Sequence, residues 1–195
     1  MNNQSIRRDI IQKRQQLSSV QQIVASKKIM QQVYSLTAIK YSKYIACYVA
    51  VDHEVDCSAV MNYCWQRAKK CYLPRIHHAE QLKFVNYQSK DKLILNRFGI
   101  PEPYFLQNRL LVAPLLDIVI TPLIAFNAQG FRLGTGGGYY DKTFAFKKDS
   151  LKKNPLLIGV AYEFQKTDFE IQSWDIPLEY VVTEKNIYRF KSSQQ

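Results

Sequence analysis

The stretch from Gly130 to Asp141 is the part of this chain with the clearest chemical character. Five of the chain's seven glycines fall between Gly130 and Gly138. Glycine is favoured where the backbone needs a positive φ or must come close to a ligand. An apolar run, Leu115 to Ile120, precedes the stretch, and a helix-compatible run, Tyr139 to Phe146, follows it. A strand, a glycine-rich loop and a helix in this order direct backbone N–H groups towards a phosphate. We therefore expect an anion site, in the first place for a nucleotide.

The established phosphate-binding fingerprints do not match this loop. The G-x-x-x-x-G-K-[ST] pattern of a P-loop is absent, with no lysine among the glycines, and Tyr139 stands where the dinucleotide-binding fingerprint has its third glycine. What remains is a nest of backbone N–H groups with an internal arginine, Arg132. Its guanidinium can make charge-assisted hydrogen bonds to phosphate oxygens. The alternative reading of the same residues is a flexible surface turn.

Three carboxylates are candidate site residues, each with a structural alternative. Asp141 falls in the first turn of the predicted helix, where it either balances the helix dipole or holds Mg²⁺ carried by nucleotide phosphates. Asp175 precedes Ile176-Pro177 and by itself is typical of a turn. Glu54 follows a predicted strand and is either a solvated loop residue or part of a ligand site. The second reading arises because ligands of open α/β sheets bind at the carboxyl ends of the strands.

The elements that must position these residues alternate between helices and strands. Two helices are predicted in the first forty residues, the second opening at a capping box, Ser19 to Gln22. Further elements are expected in the following order: a strand at Lys43–Ala50, a helix at Cys57–Lys70, and strands at Leu115–Ile120, Leu156–Ala161, Tyr180–Thr183 and Ile187–Phe190. This alternation favours a single-domain α/β fold, a three-layer sandwich with a mainly parallel central sheet flanked by helices. The domain is expected to span residues 1–190, with a frayed tail at 191–195.

Composition narrows the class of partner. The formal net charge is +11, from 27 basic and 16 acidic residues, which predicts an anionic partner. The basic residues are scattered and come with no nucleic-acid recognition motif, so a small polyanion is favoured over DNA or RNA. The start of the chain lacks the apolar core of a signal peptide, no apolar run is long enough to cross a bilayer, and the four cysteines form no C-x-x-C pair. We expect a cytoplasmic protein that contacts no membrane.

The central residues also resemble a known family. The segment Asp117–Asn127, continued through Gly130–Asp141, is similar to 5-formyltetrahydrofolate cyclo-ligases, also called methenyltetrahydrofolate synthetases. The resemblance spans nearly the whole chain, with matching motifs in the expected order: Ile6-Arg7, Tyr48-Val49, Glu54–Asp56, Leu73–Arg75, Gly99–Pro103, Ile158–Ala161 with Gln165, Asp175–Leu178 and Val181–Glu184. The sequence departs from the family pattern at Asn3, where many members have lysine, at Thr135, at Glu170-Ile171, and at Trp174 before Asp175.

The resemblance implies a role for each matching position. ATP would be bound by two groups of residues: Asn3, Gln4, Ser5, Ile6 and Arg7 in the first helix, and Arg132, Leu133, Gly134, Thr135, Gly136, Gly137, Gly138, Tyr139 and Tyr140 in the loop. The folate would be bound by Val49, Glu54, Thr135, Gly136, Gly137, Gly138 and Tyr139. Asp141 and Asp175 would hold Mg²⁺. Arg132, Tyr139 and Asp141 would be the catalytic residues.

The resemblance likewise implies the reaction. The formyl oxygen of 5-formyltetrahydrofolate would attack the γ-phosphate of ATP, and a neighbouring nitrogen would then close the ring to 5,10-methenyltetrahydrofolate with loss of phosphate. Such phosphoryl transfer needs positioning and charge neutralisation more than a protein nucleophile. The expected partners are ATP and the folate, in its free or polyglutamylated form, and the protein is expected to be a monomer that binds no nucleic acid. Two alternatives remain: a basic nucleic-acid-binding module without ATP turnover, and a phosphosugar-handling enzyme of similar architecture.

Overall fold

The computed structural model describes residues 2–77, 81–149 and 154–190. Its first part is helical, with α1 at Asn3–Gln15, α2 at Ser19–Ser35 and α3 at Thr37–Tyr41. The capping box of α2 is present but is formed by Ser18 and Gln21, one residue earlier than predicted. Asn2 caps α1, because its side chain accepts a hydrogen bond from the Ser5 backbone N–H.

A central eight-stranded sheet organises the described residues. Its strands are β1 (Tyr44–Ala46), β2 (Lys70–Ile76), β3 (Leu82–Asn86), β6 (Leu110–Leu111), β7 (Ile118–Thr121), β10 (Leu156–Val160), β11 (Tyr180–Val182) and β12 (Ile187–Arg189). They lie in the order β12-β11-β10-β7-β1-β2-β3-β6. The pairs from β11 to β2 are parallel, whereas β12, β3 and β6 pair antiparallel at the edges. The predicted α/β class with a mainly parallel sheet is confirmed.

Helices cover both faces of this sheet. Alternate residues of the central strands point to opposite sides, as the period of a strand requires. Ile118 and Ile120 of β7 pack in a cluster with α2, α3 and α4 (Ser58–Gln66), whereas Val119 packs in a second cluster with Phe144 of α5 (Tyr139–Phe144). All four residues of β7 are buried, which is typical of parallel strands covered on both faces.

Two hairpins lie outside the main sheet and lead towards the site. One pairs β4 (Leu93–Leu95) with β5 (Pro101–Pro103), and the other pairs β8 (Ala125–Phe126) with β9 (Arg132–Leu133). Short 3-10 helices complete the described elements at Gln107–Arg109, Ala113–Leu115, Ala145–Lys148 and Glu163–Gln165. No helix in the described ranges is long and apolar enough to span a membrane.

Several predicted boundaries were wrong, for reasons that the backbone makes clear. The predicted strand Lys43–Ala50 pairs over Tyr44–Ala46 only, and the predicted helix Cys57–Lys70 is helical over Ser58–Gln66. Ala68 takes a positive φ of 52°, which a continuing helix does not allow, and Cys71 lies in β2. Leu115 belongs to a 3-10 helix, so that strand begins at Ile118. The predicted tail at 191–195 lies outside the described residues.

Candidate functional site

A cavity of about 740 Å³ opens at the carboxyl ends of the central strands. The segments that follow β1 and β7 line it, through Val49 and Pro122 among others, together with Pro74 near the end of β2. This is the edge of an open α/β sheet at which ligands are generally bound. The predicted site residues that line it are Val49, Glu54, Arg132, Gly134, Thr135, Gly137, Gly138, Tyr139, Tyr140 and Asp141.

The glycine loop forms one wall of the cavity. It connects β9 to α5, so the strand before it is one arm of a short hairpin and not the predicted run from Leu115 to Ile120. Gly136 and Gly138 have positive φ values of 112° and 66°, which side-chain-bearing residues rarely adopt. A Cβ on Gly137 would lie 2.6 Å from the Tyr139 ring. Backbone conformation at Gly136 and Gly138, and at Gly130 with a φ of 89°, together with ring packing at Gly137, accounts for four of the five clustered glycines, whereas nothing in the described part of the chain requires a glycine at position 134.

Arg132 and Asp141 form an ion pair behind this loop. Arg132 Nη2 donates to Asp141 Oδ1 at 2.9 Å, and Arg132 Nη1 donates to the backbone oxygen of Ile176 at 3.0 Å. The Arg132 side chain is almost fully buried, and its guanidinium lies 5.5 Å from the centre of the Tyr140 ring. Burial also raises the pKa of the Tyr140 hydroxyl above its usual range, so this hydroxyl stays protonated. The role of Arg132 as a phosphate ligand stays a prediction, and the sequence interpretation missed its bond to Asp141.

Asp141 and Asp175 lie close enough to influence each other. Asp141 Oδ1 also accepts from the Ile176 backbone N–H at 3.1 Å, and Asp175 Oδ2 accepts from Gln172 N at 2.9 Å. Burial raises the pKa of the Asp175 carboxyl above its ordinary value, and the negative charge of Asp141 raises it further. Two neighbouring carboxylates favour a cation between them.

A magnesium ion that arrives with a nucleotide would need few protein ligands. Across the described parts of the chain, no group of three or more His, Cys, Asp or Glu side chains could hold a metal. Mg²⁺ does not need such a cage, because it is usually bound through one or two carboxylates together with phosphate oxygens and water. Asp141 lines the cavity and Asp175 does not, so their joint role as the two carboxylate ligands stays a prediction.

Helix α1 is fastened against the glycine loop. Arg7 Nε donates to the backbone oxygen of Gly134 at 2.8 Å. The Asn3 side chain makes two hydrogen bonds with the backbone of Glu170, at 2.9 and 3.0 Å. Ile6 is buried in a cluster with Leu133 and other apolar residues, so both side chains hold the helix and the loop together. Gln4 is exposed, and Ser5 Oγ donates to the backbone oxygen of Asn2. None of the residues from Asn3 to Arg7 lines the cavity itself, and their roles towards ATP stay predictions.

Glu54 lies in the turn that follows β1 and lines the same cavity as the Arg132–Asp141 pair. Its Oε2 accepts a hydrogen bond from the Val51 backbone N–H at 3.2 Å. Burial raises the pKa of this carboxyl from 4.5 to about 7, although the Val51 bond and the positive charge of Arg14 act in the other direction. Glu54 therefore changes its charge close to neutral pH.

Two arginines of the site were missed by the sequence interpretation. Arg14 is buried and lines the cavity, with Nη1 3.9 Å from Glu54 Oε1. The available signal was its spacing: Ile6, Ile10 and Arg14 are four residues apart and so share one face of α1. Arg97, in the tip of the β4–β5 hairpin, donates to the Tyr139 hydroxyl at 3.2 Å. No local pattern indicated that this hairpin would reach the glycine loop.

Comparisons with known proteins agree with this geometry. The model of the 5-formyltetrahydrofolate cyclo-ligase family matches residues 1–184. The 5-formyltetrahydrofolate cyclo-ligase of Haemophilus influenzae is 34% identical over 178 residues, covering 90% of this chain and 94% of the relative. That of Escherichia coli K12 is 32% identical over 184 residues, covering 93% of this chain and all of the relative.

Solved structures give the same result. The NMR structure of Aquifex aeolicus 5,10-methenyltetrahydrofolate synthetase matches with a TM-score of 0.82 and 29% identity, over 100% of this chain and 96% of that one. A 5,10-methenyltetrahydrofolate synthetase from Mycoplasma pneumoniae matches with a TM-score of 0.75 and 25% identity, over 94% of this chain and 99% of that one. The chain belongs to the 5-formyltetrahydrofolate cyclo-ligase family.

Proposed function

We propose that this member of the family catalyses the ATP-dependent closure of 5-formyltetrahydrofolate to 5,10-methenyltetrahydrofolate, with release of ADP and phosphate. The observation that carries the proposal is the single cavity lined both by the glycine loop and by the Val49–Glu54 segment. One cavity bordered by a phosphate-type loop and by an apolar and acidic wall suits a nucleotide and a folate that must meet. Membership of the family supplies the identity of both ligands.

The chemistry starts from a poor electrophile. A formamide carbon resists attack by a second nitrogen until its oxygen becomes a leaving group. The formyl oxygen on N5 attacks the γ-phosphorus of ATP, the bond to the β,γ-bridging oxygen breaks, and ADP leaves. The N10 nitrogen then attacks the activated carbon, phosphate departs with the former formyl oxygen, and N10 loses its proton. The result is the cyclic methenyl cation between N5 and N10.

On the nucleotide side, the chain's own residues bind and orient the phosphates. The exposed Gly134–Gly137 backbone offers N–H groups along the loop, and Arg7 fixes the loop through the Gly134 carbonyl. Arg132 places positive charge behind the loop, where it offsets the charge that phosphoryl transfer develops. Asp141 and Asp175 would hold Mg²⁺, which when bound neutralises phosphate charge.

On the folate side, Glu54 and Val49 form the wall that receives the ring system. Glu54 in its ionised form accepts hydrogen bonds from ring N–H groups, and Val49 supplies apolar contact. Tyr139, packed edge-on against Phe98 with ring centres 6.3 Å apart, borders the place where the two ligands meet. The net charge of +11 suits ATP and the glutamate tails of folates, since both are polyanions.

Three further features complete the proposal. The enzyme is proposed to work as a monomer. It works in the cytoplasm, where its four cysteines, all free and buried, stay reduced. Neither a membrane nor a nucleic acid takes part.

The decisive experiment mixes the purified protein with 5-formyltetrahydrofolate, ATP and Mg²⁺ and follows the methenyl chromophore and ADP together. We expect equal amounts of both products, and none of either without ATP. ADP formed without methenyltetrahydrofolate, or no product from well-folded protein, would refute the proposal. Binding of RNA or DNA without ATP turnover would support the nucleic-acid alternative in its place.

A further inference from the structure

The cavity holds a charged group for which the proposed reaction has no use so far. Arg14 is only 2% exposed, although its side chain carries a positive charge. Within the described residues, its buried Nε has no hydrogen-bond acceptor. The carboxylate oxygen Glu54 Oε1 lies 3.9 Å from Nη1, which is too far for a hydrogen bond. A buried N–H of a charged guanidinium that lacks an acceptor is unfavourable, so a bound ligand that supplies an acceptor would complete this site.

Helix α1 holds Arg14 in this position. Ile6 and Ile10, which precede Arg14 by two turns and one turn, are buried against Ile124 and Leu133. Arg14 continues the same face of the helix and therefore points inward with them. Arg8, on another face of the helix, is exposed. The packing of the helix thus fixes the inward direction of the Arg14 side chain.

The charge of the Arg14–Glu54 pair selects the kind of ligand. The two ionised side chains nearly cancel at a distance, so a polyanion such as the ATP phosphates gains little from binding there. A neutral group with hydrogen-bond donors beside an acceptor fits better. The pteridine ring of a reduced folate is such a group, because its 2-amino group and N3–H stand next to the carbonyl oxygen at C4 on one edge.

We propose that Arg14 is a further substrate-binding residue, whose guanidinium donates to the C4 carbonyl oxygen of the pteridine ring while Glu54 accepts from the ring's N–H groups. This inference rests on the proposed function, since it takes a folate to be the ligand. Arg14 then makes the enzyme selective for folates with a carbonyl at C4 over analogues with an amino group there.

The test combines variants of the protein with variants of the ligand. Arg14→Met removes the positive charge and all five N–H donors at a similar side-chain length. Arg14→Lys keeps the charge but loses the planar arrangement of donors. Arg8→Met is the matched control on the exposed face of α1. The ligands are 5-formyltetrahydrofolate and its analogue with an amino group at C4. Binding is measured by calorimetry without ATP at pH 9, above the pKa of about 7 of Glu54, so that this carboxylate is ionised.

We expect Arg14→Met to weaken binding of 5-formyltetrahydrofolate roughly 10- to 100-fold, the range for loss of a hydrogen bond to a charged group. Binding of the 4-amino analogue should change much less, so the selectivity of the wild type disappears. Arg14→Lys should fall between the two, and Arg8→Met should behave as the wild type. Equal losses for both ligands, or no loss for either, would overturn the assignment.

Two controls separate this proposal from others. Binding of a non-hydrolysable ATP analogue shows that each variant is folded, and a loss confined to that analogue would overturn the assignment in favour of a phosphate contact. Should Arg14→Met fail to fold, the selectivity of Arg14→Lys decides the question in the same way. Turnover of 5-formyltetrahydrofolate by the wild type is measured in the same preparations. Absence of turnover refutes the proposed function, whereas turnover with unchanged selectivity in the Arg14 variants refutes only the role of Arg14.

Discussion

Replacing Asp141 by Asn tests the metal site, because the substitution removes one negative charge and keeps the shape of the side chain. Asp141 Oδ1 accepts from Arg132 Nη2 at 2.9 Å and from Ile176 N at 3.1 Å. Breaking a buried ion pair costs about 3–5 kcal/mol, but an amide oxygen can still accept both bonds. We therefore expect the free energy of unfolding to fall by about 2 kcal/mol. For a domain of this size, the melting temperature should fall by roughly 4–8 °C.

The effect of Asp141→Asn on activity should exceed this modest loss of stability. Asp141 is one of two proposed carboxylate ligands of Mg²⁺, so the apparent KM for Mg²⁺ should rise at least about 10-fold, as is usual for a weakened metal site. The assay is the initial rate of methenyl formation against Mg²⁺ concentration at fixed ATP and at a temperature well below the melting point. Asp9→Asn, an exposed change on α1, is the control. An unchanged Mg²⁺ dependence together with a lowered melting temperature would show that Asp141 serves only to hold Arg132.

Four further predictions concern Glu54 and the glycine loop. Because the ionised Glu54 should bind the folate and its pKa is about 7, kcat/KM for 5-formyltetrahydrofolate should fall as the pH drops through 7, and a flat profile would contradict this. Glu54→Gln should lower kcat/KM for the folate more than ATP binding, and equal losses would indicate a folding defect. The pKa of the Glu54 carboxyl is raised from 4.5 to about 7 in the folded state, so its contribution to stability is full below pH 4.5 and is lost as the pH rises through 7. In urea unfolding, Glu54→Gln should therefore be more stable than the wild type at pH 8 by up to about 3 kcal/mol, and equally stable at pH 4.5. Gly137→Ala should raise the KM for ATP more than Gly134→Ala does, because a Cβ on residue 137 would lie 2.6 Å from the Tyr139 ring and a Cβ on residue 134 would contact none of the described residues. A larger rise in KM for Gly134→Ala would exclude ring packing as the cause.

The parts of this site that the sequence predicts are those encoded by neighbouring residues. The glycine loop is one, since the positive φ values at Gly136 and Gly138 favour glycine at these positions, and the resulting cluster of glycines is visible in the sequence. The parallel sheet is another, because Ile118–Thr121 is buried on both faces and so reads as a continuous apolar run. The resemblance to a family added the pairing of Asp141 with Asp175, which no local pattern contains.

The strand β1 shows why boundaries near the site were the weakest predictions. The run from Lys43 to Ala50 is rich in β-forming residues, yet only Tyr44–Ala46 pairs in the sheet. The Cys47 backbone N–H still donates to the Tyr72 oxygen of β2, but from Tyr48 on the chain leaves the sheet to line the cavity, and the Tyr48 hydroxyl donates to the Val55 backbone oxygen. Apolar content predicts burial, but it cannot distinguish burial in a sheet from burial against a ligand cavity.

Arg14 marks the other limit of prediction from sequence. A charged residue on the apolar face of a helix is visible in the spacing of Ile6, Ile10 and Arg14, but its meaning depends on what it faces. Glu54 is 40 positions away in the chain, so the pair exists only through the packing of α1 against the hairpin that carries Leu133. Burial of a guanidinium beside a carboxylate that itself titrates near pH 7 weakens the folded state. A loss of folding stability at such a pair is expected where a bound ligand supplies the missing hydrogen bonds. The C4 carbonyl of the folate is the ligand group with which the Arg14–Glu54 pair should therefore be tested.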